Sequence, residues 1–204
     1  MKIIAFCFAF DGKETDFQAE VAQAFCGITR RFQPTAVLVQ VSDDKTRALP
    51  WVDACIRTKR ENYAQWYFDA MIGFPYKEFL RVEYDVVIKG DPWDVFKEDF
   101  DIAIAKERKG NMNNGVMFVK ESRGFFYENK RIYDERTNRD NWNAIQVSTQ
   151  MTIDTGKFKV LRLDHVVYNH IPHARGEYPE ESKILHFKDI RKQWMLDDFG
   201  MVAA

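Results

Sequence analysis

The chain has 204 residues, 46% apolar and 30% charged, with 30 basic and 31 acidic side chains and a net charge of −1. That length and composition describe one globular, soluble domain and exclude a disordered segment. The balanced charge leaves no electrostatic footprint for duplex nucleic acid or an anionic membrane, and three scattered cysteines without CxxC spacing (Cys7, Cys26, Cys55) read as reduced thiols of a cytoplasmic protein with no structural zinc.

The first apolar run, Ile3 to Phe10, predicts a buried strand. It is too short for a membrane span and is followed by Asp11-Gly12-Lys13-Glu14, not by a signal-peptide cleavage pattern. Phe17, Val21, Phe25, Ile28 and Phe32 fall at helical spacing and predict a helix from Asp16 to about Arg31. Ala36–Val41 reads as a second strand, Ser42–Leu49 as a polar loop, and Thr58–Ile72 as an aromatic-rich helix stopped by Gly73 and Pro75. Phe79–Ile88 reads as one strand and Asp101–Ala105 as another. The β-α-β-α-β order implies a parallel sheet with right-handed crossovers and with ligands at the carboxyl ends of its strands. Further on, Val116–Val119 reads as a strand, Ser122–Tyr133 and Asn141–Thr149 as helices, Val160–Asn169 as strand-like, and Ile184–Phe187 as a short strand.

Two segments carry the chemistry. Glu83 and Asp85 lie one residue apart between apolar runs, and side chains at i and i+2 of an extended chain share a face. Like charges beside a buried sheet are costly unless a cation lies between them, and oxygen ligands suit Mg²⁺ or Mn²⁺. His186, inside Ile184-Leu185-His186-Phe187, supplies a third ligand, and Lys188, Arg191 and Lys192 just after it could meet an anion carried by the metal. Lys59, in Thr58-Lys59-Arg60, offers a further basic contact, and Asp11 lies past the first strand at the ligand edge. His170 and His173, with Asp164 and His165 upstream, lack an obvious third ligand for zinc and read as surface histidines. There is no Walker loop, GxGxxG or Gly-x-Ser-x-Gly elbow, so a P-loop NTPase, Rossmann dehydrogenase or serine hydrolase has no support.

Taken together these segments resemble glycosyltransferase family 8, the retaining GT-A transferases that include glycogenin and bacterial galactosyltransferases. Glu83-Tyr84-Asp85 stands where that family has Asp-x-Asp, Gly90-Asp91-Pro92 where it has a Gly-Asp-Leu turn, Asn113-Asn114-Gly115-Val116 where it has Asn-Ser/Ala-Gly-Val, and Asp140-Asn141 where it has Asp-Gln. Tyr168-Asn169 matches its Tyr/Trp-Asn, and His186 to Trp194 matches its late His-x-x-Gly-x-x-Lys-Pro-Trp in His186, Lys192 and Trp194. The chain departs from the pattern at Glu83, at Asp189 in place of the glycine, and at Gln193 in place of the proline.

The resemblance implies a single GT-A-like nucleotide-diphospho-sugar transferase domain over residues 1–204, an α/β fold with a mixed, mostly parallel central sheet flanked by helices. It implies a metal-dependent hexosyl transfer, with retention, from a nucleotide-sugar such as a UDP-sugar to an acceptor of unspecified class. Glu83, Asp85 and His186 would hold Mn²⁺ or Mg²⁺. Lys192, Lys188, Arg191, Lys59 and Asp11 would contact the donor, and Asn113, Asp140 and Asn141 would hold sugar hydroxyls and the acceptor. A nucleotidyltransferase of the same general fold, or a degenerate nucleotide-sugar-binding module, are the alternatives.

Overall fold

The computed structural model describes residues 1–9, 16–59, 63–106, 112–136 and 142–200. A seven-stranded mixed sheet forms its centre. Strand β1 (Ile3–Cys7) pairs in parallel with β2 (Val37–Asp43) on one side and β4 (Phe79–Val82) on the other, and β2 pairs in parallel with β3 (Ala54–Thr58). The sheet continues antiparallel through β7 (Met112–Val119) to β6 (Ile102–Lys106), and β8 (Val160–Leu163) closes the far edge parallel to β6. The order is β3-β2-β1-β4-β7-β6-β8, so the expected mixed, mostly parallel architecture is present.

Alternation along the strands explains how the sheet is covered. Ile3, Ala5 and Cys7 of β1 face one way with Phe79, and Trp66, Tyr67, Phe68 and Met71 of helix α2 (Tyr63–Ile72) pack on them with Phe125 and Phe126 of α3 (Ser122–Asp134). Ile4 and Phe6 face the other way with Leu80 and Val82, against Val21, Phe25 and Ile28 of α1 (Asp16–Phe32). The apolar spacing read in the sequence is thus the buried stripe of α1. Helix α4 (Trp142–Asp154) packs against α3 and β7.

Several boundaries differ from the sequence expectation. The aromatic helix does not begin at Thr58, because Ala54–Thr58 is the half-buried edge strand β3. Phe79–Ile88 is not one strand: the chain leaves the main sheet after Val82, turns through Glu83–Asp85, and re-enters extended structure as β5 (Val86–Ile88). That strand pairs antiparallel with β9 (Ile184–His186) in a separate two-stranded sheet. Val160–Asn169 is β8 followed by a one-turn helix α5 (His165–Tyr168), capped by the Asp164 side chain accepting from the Val166 N–H at 2.8 Å. After β9, a 3₁₀ turn (Asp189–Arg191) leads into α6 (Lys192–Phe199), a helix with no counterpart in the sequence reading.

Candidate metal centre

The break between β4 and β5 builds the site. Glu83 N–H donates to the Gly115 carbonyl at 2.9 Å, which keeps the first acid at the end of β4. Phe187 N–H donates to the Asp85 carbonyl at 2.8 Å, and Val86 pairs with His186 across the small sheet. The two acids therefore meet His186 because two sheets adjoin there, not because they share one strand's face.

Glu83, Asp85 and His186 each offer one ligand atom, all within 4.8 Å of one another. His186 Nε2 lies 3.2 Å from Glu83 Oε2 and 3.3 Å from Asp85 Oδ1. Asp85 Oδ1 and His186 Nε2 are buried, and neither makes a well-directed hydrogen bond among the described residues. Close approach without hydrogen-bond alignment means that these atoms point at a shared volume more than at each other.

The other ring nitrogen is fixed. His186 Nδ1 faces Asn169 Oδ1 at 2.9 Å, so Nδ1 carries a proton and donates. The Nε2 lone pair is then the one free to bind a cation, with a hydrogen bond behind it that orients the ring. Gly115 makes room for that ring: a Cβ there would lie 2.1 Å from His186 Cε1 and 2.8 Å from Asn113 Oδ1.

Charge is concentrated here. Burial alone would lower the His186 pKa, but the Asp85 and Glu83 carboxylates outweigh it and hold the imidazole up at about 9. Burial acts the opposite way on Asp85, and the neighbouring positive charges of His186 and Lys192 override it to leave the carboxyl below its ordinary range. Lys192 Nζ stands 3.2 Å from Asp85 Oδ2 and 5.0 Å from the Tyr84 ring centroid. Without a cation the two acids are thus served by a protonated histidine and a lysine. Two carboxylate oxygens and one imidazole nitrogen, once Nε2 gives up its proton, fit a hard or borderline divalent ion such as Mg²⁺ or Mn²⁺.

The remaining expected residues fall as follows. Asn113 is buried beside the site, with Oδ1 accepting from the Gly115 N–H at 2.6 Å. Lys188 and Arg191 are half-buried around the 3₁₀ turn after β9, and Arg191 Nε is buried without a hydrogen-bond partner among the described residues. Lys59 is exposed just past β3. It lies on the same sheet edge as the acids, since β1 to β4 run parallel. Asp11, Asp140 and Asn141 lie outside the described residues. Asp189 has φ 55, the left-handed region that favours glycine. His165, His170 and His173 join no metal-ligating group among the described residues.

Sequence reasoning did not assign roles to Gly115, Asn169 or Arg81. The first two stood in the quoted motifs, but only the fold shows that one clears space for His186 and the other holds its Nδ1. Arg81, an arginine inside an apolar run, was a visible anomaly.

Fold and site together define a nucleotide-diphospho-sugar transferase architecture of the GT-A type. The glycosyltransferase GlyE of Streptococcus pneumoniae TIGR4 superposes with TM-score 0.66 at 15% identity, over 95% of this chain and 60% of GlyE. The galactosyltransferase LgtC, in complex with donor and acceptor sugar analogues, gives TM-score 0.65 at 10% identity over 98% of this chain and 97% of LgtC. A glycosyltransferase involved in glycosylation of the major capsid of PBCV-1 gives 0.61 at 16% identity, over 95% of this chain and 97% of its own. The chain therefore spans 60% of GlyE's length and nearly all of the other two. No protein-family profile and no curated protein sequence matches the chain. The resemblance read from the motifs is met by the GT-A fold.

Proposed function

We propose that the protein is a metal-dependent glycosyltransferase that moves a hexose from a nucleotide-sugar, a UDP-sugar in the first instance, to an acceptor with retention of configuration. The convergence of Glu83, Asp85 and His186 at the edge of a GT-A sheet carries this reading. These three residues would hold a divalent ion, Mn²⁺ or Mg²⁺, which would supply positive charge opposite the diphosphate of the leaving nucleoside diphosphate. Lys192 holds Asp85 and stands ready as a second cation for the phosphates, with Lys188 and Arg191 on the adjoining turn. Lys59 and Asp11 are assigned to the donor, and Asn113, Asp140 and Asn141 to the sugar hydroxyls and the acceptor. Residues 1–204 act as a single transferase domain in the cytoplasm. Its three free cysteines agree with a reducing compartment, and no helix of the described residues is long and apolar enough to cross a membrane.

Calorimetric titration of UDP with and without Mn²⁺, on the wild type, Asp85→Asn and His186→Ala, tests this. Metal-dependent binding lost in both variants is the expected result. Absence of UDP binding by the wild type under both conditions overturns the reading.

A further inference from the structure

Arg81 lies in β4 on the same face as Phe79, and Glu83 follows two residues later, just past the end of the strand where the site begins. Its side chain is 1% exposed, an unusual place for a guanidinium. It lies 5.2 Å from the Tyr67 ring centroid, donates through Nη1 to the Asn114 carbonyl, and brings Nη1 to 3.9 Å from Glu83 Oε1. The other Glu83 oxygen, Oε2, is the one that meets His186 Nε2.

Asp85 is divided in the same way. Its Oδ1 meets His186 and its Oδ2 meets Lys192. Each carboxylate thus turns one oxygen toward a fixed cation and the other toward the convergence point. A carboxylate held so offers one oxygen, not two, to an ion.

Resting on the metal-site reading above, we infer that Arg81 is a positioning residue that fixes Glu83 as a one-oxygen ligand and, with Lys192 on Asp85, makes the centre select a small octahedral ion over Ca²⁺. Ca²⁺ takes six to eight oxygens and gains from bidentate carboxylates, whereas Mg²⁺ and Mn²⁺ sit in compact octahedral shells. The glutamate in place of the shorter acid fits this account. Its extra methylene lets one carboxylate reach the shared volume with Oε2 while Oε1 still leans back on Arg81. The buried guanidinium needs an anionic neighbour, since an unpaired charge there is costly.

The test is direct metal titration of Mn²⁺, Mg²⁺ and Ca²⁺ into the wild type, Arg81→Met and Arg81→Lys, with melting curves to establish folding. Arg81→Gln, neutral but able to donate to the Asn114 carbonyl, stands in for Arg81→Met if the latter does not fold. The expected result is wild-type preference for Mn²⁺ over Ca²⁺ of about a hundredfold, narrowed at least tenfold in the neutral variants through tighter Ca²⁺ binding. Arg81→Lys keeps the preference to within about threefold. A neutral, folded variant with the wild-type Mn²⁺/Ca²⁺ ratio overturns the role of Arg81 and leaves the metal site standing. Failure of the wild type to bind any of the three ions overturns the site reading, and this inference with it.

Discussion

Gly115 and His186 occupy adjoining volumes that a single methyl group would make incompatible, since a Cβ on Gly115 would lie 2.1 Å from His186 Cε1 and 2.7 Å from Nδ1. The backbone of β7 there meets the His186 ring from β9 and the Asn113 amide, both buried side chains. Gly115→Ala is therefore expected to push the imidazole off Asn169 and away from the two acids. Overpacking of this kind costs about 1–3 kcal/mol. The site should suffer more than the fold, with Mn²⁺ affinity falling at least tenfold while the protein still melts cooperatively. Wild-type Mn²⁺ affinity in this variant would falsify the packing argument.

Asn169 would act on a bound metal only through His186, whose Nδ1 it faces at 2.9 Å. Losing a partner of this type lowers metal affinity by about 10–100-fold in known centres. Asn169→Ala should do the same here, as read by metal titration, and Asn169→Asp should restore much of the affinity because its carboxylate still accepts from Nδ1. Equal loss in both variants would indicate a packing role instead.

The sequence made β1 and α1 legible because both are buried along simple patterns, a continuous apolar run and a 3.6-residue stripe. It misled between Phe79 and Ile88 because both flanks of the acidic pair are fully buried. A run with no alternation gives no sign of where the chain changes sheets. Strand β3 escaped notice because Ala54–Thr58 is short and half-buried, without a dominant apolar face. The three metal-ligand candidates were readable as residue types in motifs. Arg81 beside Glu83 is local in sequence, but Asn169 on His186 and the space left by Gly115 are tertiary and arise only when β7, β9 and the turn after α5 come together.

The pH response of the metal-free protein follows from His186. Its pKa is held at about 9, above the ordinary 6.5. The stability that this imidazolium gains from Asp85 and Glu83 is fully present below pH 6.5 and is lost as pH rises through about 9. Metal binding runs the other way, because the ion must displace the Nε2 proton, so affinity grows with pH up to about 9. Melting temperature in EDTA should fall between pH 6.5 and 9, and the fall should shrink when Mn²⁺ is present. Calorimetry in two buffers of different ionisation enthalpy should show about one proton released per metal bound at pH 7. A flat melting profile in EDTA would refute the pairing.

Asp189 combines two separable burdens, a left-handed backbone and a charge. At φ 55 the residue sits where a side chain costs about 1 kcal/mol relative to glycine. It also places an exposed carboxylate on the turn between Lys188 and Arg191, where the proposed diphosphate would approach. Asp189→Gly should therefore keep or slightly raise the melting temperature, and tighten metal-dependent UDP binding by about tenfold through loss of repulsion. Asp189→Asn separates the two effects: it tolerates the left-handed backbone and removes only the charge, so it should reproduce the gain in affinity without the gain in stability. If neither variant binds UDP more tightly, the turn after β9 does not face the diphosphate, and the basic residues around it serve another ligand.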